Sequence, residues 1–287
     1  MIKLQIYCTI PSDNLIPNKF IKRTQESPKD PSSPTFAHAR WSRSGFMFKL
    51  IDKPKNWTSH DVVAYIRNIA SKQLKESGLP GATRRVKTGH AGTLDPFATG
   101  LLIVGIGRDA TKKLDEFKAL PKTYIATLKL GATSDTQDST GVITKTQKHK
   151  NTKTPTENEV IDILQNFIGK QEQVPPMYSA KKIGGKKLYD LARKGIEIER
   201  EPNEIEIYDI KLLDYALSPL EGEGGGEVKI EVDCSTGTYI RTLAHDIGEK
   251  LGTGAYCDEL RRTRIGKHRV EQAVSPEDLD FHDTLPT

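Results

Sequence analysis

At the centre of GHAGTLDPFATG (residues 89–100) stands a single carboxylate, Asp95, bracketed by glycines and threonines. Glycine adds no side chain and tolerates positive φ, so such a segment can pack tightly and approach a ligand. Pro96 biases Asp95 away from the α region towards an extended conformation. A stiff loop of this kind presents a single carboxylate, although a lone Asp-Pro pair is ordinarily a surface turn. A second string, GIGRDA (105–110), follows an apolar run and fits the dinucleotide pattern G-x-G-x-x-A. That pattern asks for an acid about 20 residues further on, yet none lies between Glu116 and Asp135. A tight strand–helix turn is the simpler reading.

Charge points towards nucleic acid. The 287 residues carry a formal net charge of +5, unevenly spread. Between Lys53 and His90 there are eight basic residues (Lys53, Lys55, Arg67, Lys72, Lys75, Arg84, Arg85, Lys87) against two acids. Arg261, Arg262, Arg264, Lys267 and Arg269 form a second cluster. Such zones suit phosphate contacts, while solvated charge alone explains many comparable runs. No run approaches the ~18 apolar residues of a membrane span, and the N-terminus lacks the apolar core of a signal peptide. Cys8, Cys234 and Cys257 are widely spaced without metal-ligand pairing. Free thiols in a reducing cytoplasm are therefore expected.

The elements that must hold these residues can be read from periodicity. Residues 1–45 lack it and contain SPKDPSSP, a composition that favours disorder. FMFKLID (46–52) reads as a strand. Thr58 with Asp61 forms a capping-box pattern before Val62, Val63, Ile66, Ile69 and Ala70, one helical face. LLIVGIG (101–107) has strand length, and Asp109 is placed to cap a helix through Leu114 and Phe117. Tyr124, Ala126, Leu128 and Leu130 alternate along a strand. Thr156 and Glu159 repeat the capping box before Val160, Ile163, Leu164 and Phe167. Ile205, Ile207 and Leu212, then Val228, Ile230, Val232 and Cys234, suggest two strands joined by EGEGGGE (221–227). Ile240, Leu243, Ala244, Ile247 and Leu251 form a last helical stripe, with Thr238 as its cap. Interleaved helices and antiparallel strands predict an α+β domain on a mixed sheet.

Taken whole, GHAGTLDPFATG resembles the catalytic motif of the TruB family of tRNA pseudouridine synthases. So do four further segments in order: LIDKPKNWTSHDVV (50–63), KTYIATLKLGATSDTQDSTG (122–141), QVPPMYSAKKIGGKKLYDLARKG (173–195) and CSTGTYIRTLAHDIGEKLG (234–252) with LRRTRIG (260–266). The resemblance implies the pseudouridine synthase fold, a curved mixed sheet with flanking helices and an RNA-binding cleft across it, and isomerisation of uridine 55 in the T-loop of tRNA after base flipping. It implies Asp95 as the nucleophile, Arg241 as its cation, and Tyr124 packed on the target base, in reach of the ribose C2′ proton. Tyr239 and Leu260 would line the pocket, and His90 would contact the flipped nucleotide. Arg84, Arg85, Lys87, Arg261 and Arg262 are the expected RNA-backbone contacts. Tyr178 and Lys181 belong to a motif that shapes the fold near the cleft.

The reaction moves no net electrons, so neither cofactor nor metal is expected. The domain is placed at 46–269, between an extension (1–45) and an acidic tail (270–287) with five acids and no Lys or Arg. The family's C-terminal RNA-binding PUA domain needs more residues than follow Arg269. That disfavours a guide-RNA-dependent enzyme of the dyskerin type, which relies on such a domain and on accessory proteins. A silent RNA-binding protein is the other alternative, but all four central residues are present. The expectation is a stand-alone cytoplasmic monomer acting on the T-arm of tRNA, with no obligate protein partner and no membrane association.

Overall fold

The computed structural model describes residues 47–76, 85–146, 154–217 and 225–279, apart from Ala180, Gly184 and Arg193. All belong to the unit spanning residues 37–287. The extension at 1–45 and most of the EGEGGGE loop lie outside the described residues.

Strand β1 (Met47–Lys53) leads to helix α1 (Ser59–Glu76). The expected capping box closes the helix start: the Asp61 amide donates to Thr58 Oγ1 at 3.0 Å, and the Thr58 amide to Asp61 Oδ2 at 2.8 Å. Val62 and Ile66 are fully buried, each contributing about 1.5–3 kcal/mol. Short β2 (Thr88–His90) and β3 (Thr99–Ile106) follow. β3 is apolar after Thr99 because it is covered on both faces. Leu102, Val104 and Ile106 pack with α1, and Leu101 and Ile103 with the other side.

After β3, Gly107 at φ 92° turns the chain into α2 (Arg108–Lys112), and α3 (Leu114–Lys118) follows Lys113. This is the turn read from GIGRDA, but the predicted cap differs. Gly107 occupies the capping position, no side chain caps α2, and Asp109 lies within the first turn. The positive-φ glycine starts the helix before Asp109 can take cap geometry.

β4 (Lys122–Leu130) is central, and β5 (Ala132–Ser134) pairs with β6 (Ile143–Lys145) beyond it. Next come α4 (Glu157–Gln165), with its capping box intact, β7 (Gly169–Gln173), the pair β8 (Lys182–Ile183) and β9 (Lys186–Lys187), and α5 (Leu188–Ala192). The long strands β10 (Asn203–Leu217) and β11 (Gly226–Cys234) pair antiparallel, then α6 (Ile240–Leu251), β12 (Ala255–Ile265) and β13 (His268–Arg269) complete the sheet. Tyr239, not Thr238, is the residue at the α6 cap. The Thr238 hydroxyl turns back to donate to the Ser235 carbonyl at 3.1 Å.

The principal sheet runs β1-β3-β12-β4-β11-β10-β7, with β2 also on β3 and β13 on β12. Only β12 with β3 is parallel among these pairs. This mixed, mostly antiparallel sheet bears out the α+β expectation and excludes a doubly wound dinucleotide fold. Where β12 passes β3 the approach is tight. A Cβ on Gly100 (φ 104°) would sit 2.3 Å from the Arg262 carbonyl oxygen, so only glycine fits.

Residues 270–279 pack onto the domain. Val274 exchanges backbone hydrogen bonds with β1 (Asp52 N to Val274 O, 2.9 Å; Val274 N to Leu50 O, 3.1 Å), and Leu279 packs into the α1 cluster. Glu271, Glu277 and Asp278 are exposed while Val270 and Leu279 are buried. These three acids lie on the outer face of the described segment. Among the described residues, no helix is long and apolar enough to cross a membrane.

Candidate active site

The Asp95 loop is held by its own backbone. Ser59, at the start of α1, accepts from the Leu94 amide at 2.9 Å and donates to the Leu94 carbonyl at 3.1 Å. The Pro96 carbonyl accepts from the Asn56 amide (2.8 Å) and from Lys53 Nζ (3.4 Å), and Lys53 also donates to the carbonyls of Trp57 (2.6 Å) and Pro54 (2.8 Å). Lys53 was counted with the basic zone, but it is fully buried and its ammonium serves the loop. Burial pushes its pKa down to about 8.

This frame aims Asp95 at Arg241, on the first turn of α6. Arg241 Nε lies 2.9 Å from Asp95 Oδ2, with the arginine side chain 3% exposed and the aspartate 35%. The rest of the guanidinium is also engaged. Nη1 donates to the Thr136 carbonyl (2.8 Å) and Asp138 Oδ2 (3.2 Å), and Nη2 to the Tyr178 carbonyl (2.8 Å). Asp138 is buried and accepts at Oδ1 from Thr136 Oγ1 (2.8 Å), the Thr140 amide (2.9 Å) and Thr140 Oγ1 (2.6 Å). Burial raises the Asp95 carboxyl; Arg241 opposes that shift and Asp138 adds to it. The arginine therefore holds an anion in a place that disfavours one.

A cavity of about 300 Å³ opens over this pair, lined by Asp95, Arg241, Tyr124, Tyr239, Leu260 and Arg262, among others. Tyr124 faces it from β4, opposite Arg262 on β12. Burial raises the Tyr124 phenol, while a hydrogen bond from Arg262 and its charge counter the shift. Tyr239 is fixed through its backbone: its amide donates to Gln173 Oε1 (2.8 Å), and Gln173 Nε2 returns to its carbonyl (3.0 Å). A second hollow of about 610 Å³ shares Asp95 and Arg241 and continues past Tyr178, Tyr189 and His60.

The structure thus brings together Asp95, Arg241, Tyr124, Tyr239 and Leu260 as expected. Arg262 joins them for a different reason. It was expected on the RNA backbone, but it is 1% exposed. Its guanidinium donates to the carbonyls of Leu101 (2.8 Å) and Gly92 (3.2 Å). Alternation from Leu260 along β12 places it on the inner face, a signal available in LRRTRIG. Arg261, on the outer face, pairs with both oxygens of Asp52 at 3.0 and 2.7 Å. Arg85 and Lys87 are exposed; Arg84 lies outside the described residues. His90 lines neither hollow. It packs against the His60 ring at 5.6 Å between centroids, and burial pushes its pKa down to about 4. Lys181 donates to Asn203 Oδ1 at 2.7 Å, a structural link to β10.

Sequence reasoning missed Asp138 and Gln173. Asp138 left a trace in SDTQDSTG, a carboxylate surrounded by hydroxyl residues that can satisfy it when buried. Gln173 left none.

A family model described as TruB family pseudouridylate synthase (N terminal domain) matches residues 81–240, and one described as tRNA pseudouridylate synthase B C-terminal domain matches 241–283. A curated relative from Parabacteroides distasonis, tRNA pseudouridine synthase B, is 44% identical over 233 residues, covering 80% of this chain and 89% of that protein. The protein of the same name from Phocaeicola vulgatus is 45% identical over 226 residues, 79% and 88% of the two chains. Among solved structures, a chain in the crystal structure of a Cbf5-Nop10-Gar1 complex aligns with a TM-score of 0.54 at 29% identity. That alignment covers 81% of this chain and 53% of the other. With both family models falling on consecutive segments that build this cavity, the chain belongs to the TruB family of pseudouridylate synthases.

Proposed function

We propose that this protein isomerises uridine to pseudouridine at position 55 in the T-loop of tRNA, with Asp95 as the nucleophile. One observation carries the reading: a single carboxylate, ion-paired to a buried arginine, at the wall of a cavity with two tyrosines and a leucine. The Asp95 carboxylate attacks ribose C1′ as the bond to uracil N1 breaks, and the bonding pair leaves with the base. The base turns, C5 attacks C1′ and displaces the carboxylate, C5 gives up its proton and N1 gains one. Atoms balance without a cofactor.

Each neighbour has a part in this scheme. Arg241 keeps Asp95 ionised and aligned. Tyr124 and Tyr239 offer aromatic faces to a base out of its stack, offsetting part of the unstacking cost. Arg262 lies beside the Tyr124 hydroxyl and opposes the upward shift that burial imposes on that phenol. Exposed Arg85 and Lys87 suit the RNA backbone. The curated relatives at 44–45% identity are named tRNA pseudouridine synthase B, which favours a stand-alone tRNA enzyme over the assembly named for the structural neighbour. The test is incubation of the purified chain alone with unmodified tRNA transcript, followed by site-resolved pseudouridine mapping. Modification at position 55 is expected. No modification, or modification elsewhere, refutes the reading.

A further inference from the structure

Lys122 opens β4 and, by strand alternation, shares a face with Tyr124. It is 5% exposed, flanked in register by Cys234 of β11 and Ile265 of β12, and it lines the same cavity as Asp95 and Tyr124. An ammonium has three N–H donors. Here one is directed at the Lys118 carbonyl, and the charge acting most strongly on the group is another cation, Arg262. Each of the other buried cations of the site has more acceptors: Arg241 two carboxylates and two carbonyls, Lys53 three carbonyls, and Arg262 two carbonyls. Lys122 therefore gives the cavity wall a desolvated positive charge with donor capacity to spare, an arrangement that fold stability alone does not favour.

We propose that Lys122 contacts the base: its ammonium donates to a carbonyl oxygen of the flipped uracil and balances the negative charge the base acquires as its bond to C1′ breaks. This rests on the reading of the cavity as a uridine site. When N1 departs, both bonding electrons stay on the ring and spread onto the carbonyl oxygens. A donor already in place in a water-poor cavity stabilises that charge without reorganising. It also tethers the base while C5 comes round to C1′. Lys122 remains protonated throughout, so the balance of the reaction is unchanged. Depth separates this role from phosphate binding. Lys118 at the rim is half exposed and paired with Asp115, whereas Lys122 reaches only what enters the cavity.

The test compares Lys122→Met and Lys122→Arg with wild type in the full chain, using unmodified tRNA transcript. For Lys122→Met the expectation is a melting temperature unchanged or raised, an unchanged Kd and salt dependence, and a saturating single-turnover rate lowered about 100-fold. Lys122→Arg should recover part of that rate. A wild-type rate for folded Lys122→Met overturns the inference. So does a loss confined to affinity with a shallower salt dependence, which marks a phosphate contact. A lowered melting temperature that accounts for the lost rate marks a packing role and also overturns it. A wild-type chain that forms no pseudouridine refutes the functional reading and this inference together, whereas an active wild type matched by Lys122→Met removes the inference alone.

Discussion

Replacing Arg241 by lysine keeps a positive charge beside Asp95 and removes the fork that distributes it. Four acceptors surround the guanidinium along three nitrogens: Asp95 Oδ2, Asp138 Oδ2, and the carbonyls of Thr136 and Tyr178. A lysine offers its donors from one nitrogen, so an ammonium placed between the two carboxylates leaves the carbonyls short. Each buried acceptor left unpaired costs about 1–3 kcal/mol. Two of them lower the melting temperature by roughly 4–24 °C for a domain of this size. The rate falls separately, because Asp95 loses its aligned, charge-assisted contact. A loss of about 2.7 kcal/mol there is ~100-fold. The assay is single-turnover release of label from C5 of uridine at saturating enzyme, below the variant's melting range, with calorimetry on the same sample. A rate within about threefold of wild type, equivalent to ~0.7 kcal/mol, would refute the argument that fork geometry matters more than charge.

Asp95→Asn should abolish turnover while tRNA binding survives. Because burial raises the folded-state carboxyl, the anion is held at a cost to the fold, so the asparagine variant should melt no lower than wild type at pH 7; residual multiple turnover would remove Asp95 from its role. For the same reason the acid limb of the wild-type rate should lie above the ordinary carboxylate range of about 4, with rate rising as the anion forms; a limb at or below that value contradicts the burial argument. His90, held at about 4 in the fold against ~6.5 unfolded, binds fewer protons when folded across that window. Stability should therefore rise with pH from about 4 to 6.5, less steeply in His90→Gln; identical slopes would show that His90 is not the group responsible. Replacing Arg85 and Lys87 by Ala should weaken all tRNAs alike and reduce the salt slope by about 1 per charge, whereas an effect confined to one tRNA points to base readout.

What the residues disclosed in advance followed the range of the interaction. The α1 and α4 caps are contacts three residues apart, and both formed as read. The β3 run also announced itself, because a strand covered on both faces has no reason to alternate. Longer-range features were harder. Asp95 and Arg241 meet across the sheet, and no spacing rule joins them; only resemblance to a known family paired them beforehand. The burial of Arg262 and Lys53 was hidden by a habit of reading positive charge as surface. Each sits on the inner face of its strand, where carbonyls stand in for water. At Asp109 and Thr238 a capping residue type is present, but the backbone ahead of each helix sets a different cap.

The position of β12 bears on how the chain reaches this state. Its eleven residues lie between β3 and β4, parallel to one and antiparallel to the other. Until Ala255–Ile265 leave the ribosome, β1 and β2 with β3 and β4 with β11 are two half-sheets with a missing seam, open at Thr99 and Gly100 of β3 and along the free edge of β4. Asp95 belongs to the first half and Tyr124 to the second, so the strand that closes the seam is also the one that assembles the active site. Pairings this distant in sequence form slowly, and open edges are where chains associate wrongly. A nascent chain stalled before residue 255 should therefore be both inactive and prone to aggregate, and catalytic competence should emerge in one late step with closure of the sheet.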